Sequence, residues 1–523
     1  MSRAAFDVIV VGAGFGGATC AALLAKRGVS VLLLEKNAQA GGKAMVISKK
    51  GFTYELWPVI HAPMRESRCI EVLRELGLEE SVELVMPPQV RGAIYRDAAG
   101  ELRRFPEDPN PDPTKVFDVL GVAEGEREKA LQVLTELTLM GPADVHALDD
   151  VAFEEWLELK ATPRPIRCYL NALANGVFMV PSDQLAASEA IRTLQEMLVR
   201  GGGLYCRSGG IGRLAEVFAS AVKGNESRVI YRTRVKKISV QGGRVTGVVT
   251  NKGTFSAPIV VSNVGLQVTA LKLVGKQYLD QGYVNYVKDL TPSWGMTGVR
   301  YFLNERLLSD PFHLIFSEEA YWTTERWLRA ASGAIPRDII MWVQDPSANN
   351  PDLAPPGRQC VLTGIWCSPD PNTPLKEKQR WWAKIDEMMG RIWPGFLDHV
   401  DVRETYDAHD VSALTREQAL PGLGGECIGL GQVVGQCGRY KPSAQAPVRG
   451  LFYVGTDAGG YGCGTHQAVD SGVRVAKLVF RYHQLHQSVL GASPLPARSR
   501  RGAGLKRASG QARAGRRVGP TAS

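Results

Sequence analysis

The chain has 523 residues, 44% of them hydrophobic and 22% charged, which is the composition of a globular protein with length for two or more domains and excludes a disordered or fibrous one. Its net charge of +9 comes almost wholly from eight Arg and Lys between Arg498 and Arg517, in a stretch (498–523) without an acidic residue, so the rest is near neutral and makes no global case for nucleic acid. The nine cysteines are scattered, odd in number and never paired as CxxC, and the histidines form no HExxH, which points to reduced thiols in a cytosolic protein and to no metal or disulfide framework.

The first element is also the most informative. In DVIVVGAGFGGATCAALLAKRGVSVLLLEK the apolar run Val8 to Val11 predicts a buried strand, and Gly12, Gly14 and Gly17 form a GxGxxG turn opening into a helix. The first glycine allows the turn, the second lets backbone N–H groups approach a pyrophosphate, and the third lets helix and strand pack closely. Phosphates would sit on the helix N-terminus, where unpaired N–H groups and the dipole favour anions. A second strand ends at Glu35, 18 residues beyond Gly17, where a carboxylate can accept the ribose hydroxyls of an adenosine. Residues 8–25 carry no charge, near the lower limit of a membrane span, but the glycines in that run and Glu35 closing the next strand argue against one. With the strand starting at about residue 6, no room is expected for a signal peptide.

Next come Gly41, Gly42 and Lys43, and then GFTYELWPVIHAP at 51–63. The glycine pair with its basic residue resembles the GG(R/K) extension of flavin enzymes in the amine oxidase and phytoene desaturase superfamily. There the basic residue lies near the phosphates or ribityl chain. The segment after it resembles GFxFDxGP, which in that family passes beside the flavin ring. Here Glu55 stands for the usual Asp and Trp57 for the usual Gly, and a tryptophan there would narrow the substrate's approach.

Residues 64–203 alternate helical patterns with Pro-rich loops. CIEVLRELGLEESVEL and AASEAIRTLQEMLVRGGG are amphipathic and end at glycines. No catalytic motif stands out, and Trp156 and Phe178 read as core. At 208–223 a glycine turn feeds another helix, followed by strand-like runs separated by QGGR and NKG, a β-meander by periodicity. In the family the strand at this place gives a backbone contact to the adenine, here matching Val235, and the closing VVSN is typical.

Residues 276–440 carry eight tryptophans, from Trp294 to Trp393, a density that fits either a large apolar cavity or exposed face, or a packed core. The last motif is GLFYVGTDAGGYGCGTHQAVDSGVRVAKLV at 450–479: a strand delivers Gly455 and Asp457, and a glycine-rich loop opens a helix at about Thr465. The family uses this acidic residue on the phosphate or ribityl hydroxyls and points the helix at the flavin ring, where its positive end would stabilise a reduced, anionic flavin.

The resemblance runs over residues 6–485, and the chain is identified as a phytoene desaturase-like or carotenoid isomerase-like FAD oxidoreductase. It implies an α/β fold, with a Rossmann-like FAD domain from 1–90, 204–275 and 441–487, a mixed α+β substrate domain from 91–203 and 276–440, and a disordered basic tail at 488–523. The implied cofactor contacts are Gly12, Gly14, Gly17, Glu35, Lys36, Gly42, Lys43, Pro58, Val59, Ile60, Val235, Gly455, Asp457, Gln467 and Ala468. His466 and His61 are the candidate acid–base groups, with Tyr461 and Cys463 behind them. FAD is expected to be noncovalent, although Cys427 stands in a GGEC context loosely like the flavin-linked cysteine of some amine oxidases.

Three readings of function follow: desaturation, saturation or isomerisation of carbon–carbon bonds in an apolar isoprenoid-like or cyclic substrate; amine oxidation; or a non-catalytic lipid-binding escort on the same fold. Against the second, Gly464 stands where amine oxidases carry an aromatic cage residue. Against the third, Glu35, Lys43 and Asp457 remain. Only one complete GxGxxG is present, since Gly429, Gly431 and Gly435 have the wrong spacing, so the expected electron acceptor is oxygen, a quinone or none. The expected location is cytoplasmic, with peripheral membrane contact through the basic tail compatible with its charge. Oligomeric state leaves no signal in the sequence.

Overall fold

The structure, a computed structural model, describes residues 6–58, 67–85, 93–105, 113–199, 205–224 and 226–491. A five-stranded parallel sheet runs in the order Leu451–Tyr453, Ile259–Ser262, Val8–Val11, Val31–Leu34, Arg228–Ile230. Its central strands are buried along their whole length, which is why they read as unbroken Val, Ile and Leu runs instead of alternating ones. The helix Phe15–Lys26 is buried from Phe15 through Ala25, and so is apolar on every side. It packs on the helices Gly212–Ser220 and Gly464–Gly491. This is a Rossmann-like α/β layer.

The meander expected after residue 234 is present as three antiparallel strands, Val235–Gln241, Arg244–Thr250 and Gly253–Ser256. Gly242 and Gly243 both have positive φ (57° and 71°) at its first turn, the backbone that a two-residue hairpin requires. The amphipathic stretches form the helices Arg68–Leu76 and Ala187–Val199. The C-terminal helix runs to Gly491, so residues 488–491 are helical, a correction to the tail boundary at 488; residues 492–523 lie outside the described residues.

A second, seven-stranded mixed sheet is ordered Val400–Tyr406, Gly295–Leu303, Gln359–Cys367, Met341–Gln344, Phe312–Ser317, Ala93–Arg96, Leu102–Arg104. It shares a core with the helical region 113–199, where Trp156 and Phe178 are buried. The tryptophans resolve as packing: Trp294, Trp322, Trp327, Trp366 and Trp381 form one cluster with ring centres 4.5 to 6.5 Å apart. Edge-to-face and offset pairs of this kind add to the area they bury.

Glu55 ties the start of the helix Gly212–Ser220 to the second sheet. It is 3% exposed, accepts the Ile211 N–H (3.0 Å) ahead of the helix Gly212–Ser220, and accepts Nε2 of Gln344 (2.8 Å) in the second sheet. Burial pushes its carboxyl from 4.5 up to about 7, against the pull of those two hydrogen bonds. The folded state therefore holds this proton more tightly than the unfolded chain. The group's contribution to stability is fully present below the unfolded value and is lost as pH rises towards 7, a change of roughly 3 kcal/mol. Glu55→Gln should accordingly raise unfolding free energy by about that much near pH 8 and little near pH 5. Chemical denaturation at both pH values checks this, and an equal effect at the two would contradict it.

Candidate active site

A cavity of about 240 Å³ lies where the parallel strands end. Val11 and Gly12, Leu34 and Glu35, Asn263, and Val454 with Gly455 line it, all at or just past the carboxyl ends of four strands, the place where open α/β sheets bind ligands. Gly12 takes φ +94° in the first turn, and a Cβ at Gly17 would collide with the Gly12 carbonyl oxygen, so the helix can start this close only with glycine there. That helix has no side-chain cap and no acidic residue in its first turn, which leaves its N-terminal N–H groups for an anion.

At the adenosine end, Glu35 is fixed by the N–H groups of Ala13 and Asn37 (both 2.8 Å), one on each carboxylate oxygen, with lone pairs left for ribose hydroxyls. Thr233, Arg234 and Val235 line the cavity with it. Lys36 also lines it, but its ammonium is taken by the Ala413 carbonyl (3.2 Å) and Glu417 (3.7 Å).

Lys43 is different. Its Nζ is buried and has no hydrogen-bond partner. Burial, then the nearby Arg416 charge, lowers its ammonium to about 8, opposed by Glu426. A buried donor of this kind on a cavity wall is satisfied by an anionic ligand, as the pyrophosphate of a dinucleotide would be. Gly42 lies beside it on the same wall.

Asp457 also lines the cavity, with all four lone-pair sites occupied. Its Oδ1 accepts from Arg416 Nη1 (2.9 Å) and the Leu430 N–H (3.0 Å), and its Oδ2 from Arg416 Nη2 (2.6 Å) and the Leu266 N–H (2.8 Å). Burial pushes this carboxyl up, but Arg416 and the hydrogen bonds outweigh it and hold it below its ordinary value. Asp457 thus holds Arg416, which also meets Glu426 (3.1 Å). Arg416 and Glu426 escaped the sequence reading, and Asn263 entered it only as the last residue of VVSN. Arg416 and Glu426 are single charged residues in stretches without periodicity, and only tertiary contact gives them meaning.

The helix Gly464–Gly491 begins at the cavity, where Gly464, Thr465 and Ala468 line it and the Thr465 hydroxyl is buried without a partner. Gln467 is turned towards the Thr456 carbonyl (3.0 Å), and His466 is not among the lining residues. Pro58 lines the cavity; Val59, Ile60 and His61 lie outside the described residues. Cys427 lines it too, with burial pushing its thiol up to about 11 against the pull of Lys43, so it is a protonated and weak nucleophile at neutral pH.

The uncapped helix, the partnerless Lys43 ammonium and Thr465 hydroxyl, and the Glu35 carboxylate fit an FAD laid along the strand ends. Lys43→Ala should weaken FAD retention by about tenfold to a hundredfold, the range for one charge-assisted hydrogen bond. Equilibrium dialysis of the released flavin measures it, and unchanged retention would remove Lys43 from the site.

Comparison with known proteins agrees with this geometry. The flavin containing amine oxidoreductase family matches residues 15–480. A 4,4'-diapophytoene desaturase (4,4'-diapolycopene-forming) of Methylomonas sp is 23% identical over 382 residues, covering 70% of this chain and 73% of that protein. A phytoene desaturase (lycopene-forming) of Pseudescherichia vulneris is 23% identical over 457 residues, covering 79% and 89%. Among solved structures, cyclohexylamine oxidase from Brevibacterium oxydans IH-35A has a TM-score of 0.62 at 16% identity, covering 92% of this chain and 99% of its own. With the family matched over most of its length and the site built for its cofactor, the chain belongs to the flavin-containing amine oxidoreductases and is an FAD-dependent oxidoreductase.

Proposed function

We propose that the enzyme transfers a hydride between FAD and a carbon–carbon bond of an apolar, isoprenoid-like or cyclic substrate, in desaturation, saturation or isomerisation. The observation that carries this reading is how charge divides over the cavity wall. Glu35, Lys36, Lys43, Arg234, Arg416, Glu417 and Asp457 all stand on the side of the parallel sheet and the 412–417 segment. The side supplied by the second sheet, the helical region and their loops presents Trp57, Pro58, Val177, Met179, Met296 and Ile428, with no charged group among them. An ammonium substrate needs a carboxylate or an aromatic cage, and Gly464 offers neither; an apolar skeleton is stabilised there by leaving water. The two desaturase relatives support the same chemistry.

Bound FAD supplies the hydride acceptor or donor. The chain's part is to hold the substrate's carbon skeleton against that cofactor and to keep water out, for which Trp57, Met179 and Met296 are buried almost completely. Desaturation removes a hydride and a proton from adjacent carbons. The buried Thr465 hydroxyl is a hydrogen-bonding group at the cavity, whereas His466 does not line it. Oxygen or a quinone would take the electrons, and isomerisation needs no net acceptor.

Anaerobic mixing of the FAD-bound protein with polyenes, cyclic enones and amines, following flavin bleaching and product mass, tests the proposal. A two-hydrogen change in an apolar product, or an isomer of unchanged mass, is the expected result. Bleaching by amines alone would sink it.

A further inference from the structure

We propose that Glu417 is a latch on the path by which FAD enters and leaves: its bridges to Lys36 and Arg234 keep the 412–417 turn closed at the adenosine end of the cavity and set the rate of cofactor exchange without setting affinity. This concerns the cofactor alone and holds whatever the substrate.

Two separate parts of the chain meet there, and both line the cavity. One is a frame at the strand ends of the parallel sheet. In it the Thr233 N–H donates to the Glu35 carbonyl (2.7 Å), the Arg232 N–H to the Asn37 carbonyl (2.8 Å), and the Arg234 N–H to Oδ1 of Asn251 (2.9 Å). The other is a π-helical turn, Ser412–Arg416, soon after the edge strand Val400–Tyr406 of the second sheet. It is closed on itself by the Glu417 N–H on the Ser412 carbonyl (3.1 Å) and the Thr415 hydroxyl on the Val411 carbonyl (2.6 Å). Turns of this kind are rare and recur at functional sites.

Side chains join the two parts. Lys36 Nζ donates to the Ala413 carbonyl (3.2 Å), and Asn37 Nδ2 to the Leu414 carbonyl (2.8 Å). Glu417 Oε1 accepts from Arg234 Nη1 (2.6 Å) and stands 3.7 Å from Lys36 Nζ, so one carboxylate spans two cations of the frame. The Glu417 and Arg234 side chains are 32% and 50% exposed although both residues line the cavity, which puts their bridge where the cavity meets solvent. Exposed pairs are individually weak, so this closure can open in ordinary motion. Arg416 beside it is buried and bound to Asp457 and Glu426, and is the fixed post from which the turn opens.

The backbone gives a second sign. Glu417 has φ +68°, a conformation that side-chain-bearing residues rarely adopt and that persists where neighbours hold it. Glycine would take this backbone easily but would bring no carboxylate between the two cations. Since the latch joins protein to protein and none of its contacts involves the cofactor, breaking it adds to the barrier for entry and for exit alike. The ratio of the two rates, which is Kd, is left where it was.

Exchange on the holoprotein tests this. Protein carrying radiolabelled FAD is mixed with a large excess of unlabelled FAD, loss of bound label gives koff, and equilibrium dialysis gives Kd. Glu417→Gln should raise koff by about threefold to tenfold while Kd stays within about twofold, unlike a variant that loses a direct cofactor contact. Adding Arg234→Gln to it should bring no further acceleration, because the two residues share one interaction. Raising ionic strength from about 0.05 M to about 0.5 M screens exposed charges and should speed exchange in wild type but hardly in Glu417→Gln. An unchanged koff, or an equal salt response in both proteins, would overturn the latch. So would a Kd that weakens in step with koff, which would make Glu417 a contact of FAD itself.

Discussion

The buried pair between Arg416 and Asp457 is the constraint on which the site depends. Its bidentate contact is surrounded by Glu426, the N–H groups of Leu266 and Leu430, and the Lys43 ammonium, so it ties together chain segments that are hundreds of residues apart. Two charges in a low-dielectric interior gain from each other only when geometry and neighbouring hydrogen bonds satisfy both, and removing one partner typically costs about 3–5 kcal/mol because the other is stranded. Here both are satisfied. The result is a cavity wall on which Asp457 and Glu426 balance Arg416, and the Lys43 ammonium is left without a protein partner. That ammonium and the uncapped N-terminus of the first helix line one cavity, and together they suit a pyrophosphate.

From that wall the rest of the site follows by position. The parallel sheet presents four strand ends in a row, and the Glu35 carboxylate and the start of the C-terminal helix lie along them. The second sheet and the helical region close the cavity from the other side with aliphatic, thioether and indole groups. One face is thus polar and fixed by hydrogen bonds, and the other is apolar and fixed by packing. A cofactor with a charged backbone and a flat ring matches the first face at its phosphates and meets the second at its ring; under the proposed reaction the substrate would lie between that ring and the apolar face. Among the described residues no helix is long and apolar enough to cross a membrane.

Much of this was legible in the sequence, because the first strand, turn and helix are local. Gly12, Gly14 and Gly17 answer to backbone geometry within one short segment, and Glu35 follows at a spacing set by one helix. The same holds for the hairpin at Gly242 and Gly243. Asp457 was visible as a motif residue, but its partner was not, since nothing in ALTREQ distinguishes Arg416 from a surface arginine until the fold buries it. The tryptophans were seen as a density and could not be read as core or cavity from spacing alone; their stacking depends on one strand, two helices and two loops meeting. His466 is legible only in part, since its side chain is not among those lining the cavity. Its place at the start of a helix aimed at the cavity was sound, but one residue of helix is about 100° of rotation, enough to carry a side chain off the lining face.

The claim that one buried ion pair organises the flavin site is tested most directly by a double-mutant cycle on Arg416→Met and Asp457→Asn, with FAD dissociation as the readout. Each single variant should weaken FAD retention by about a hundredfold or more. The double variant should be no weaker than the worse single one, because residues acting as a unit lose their contribution once. Additive losses would show that the two groups act independently and would contradict the account.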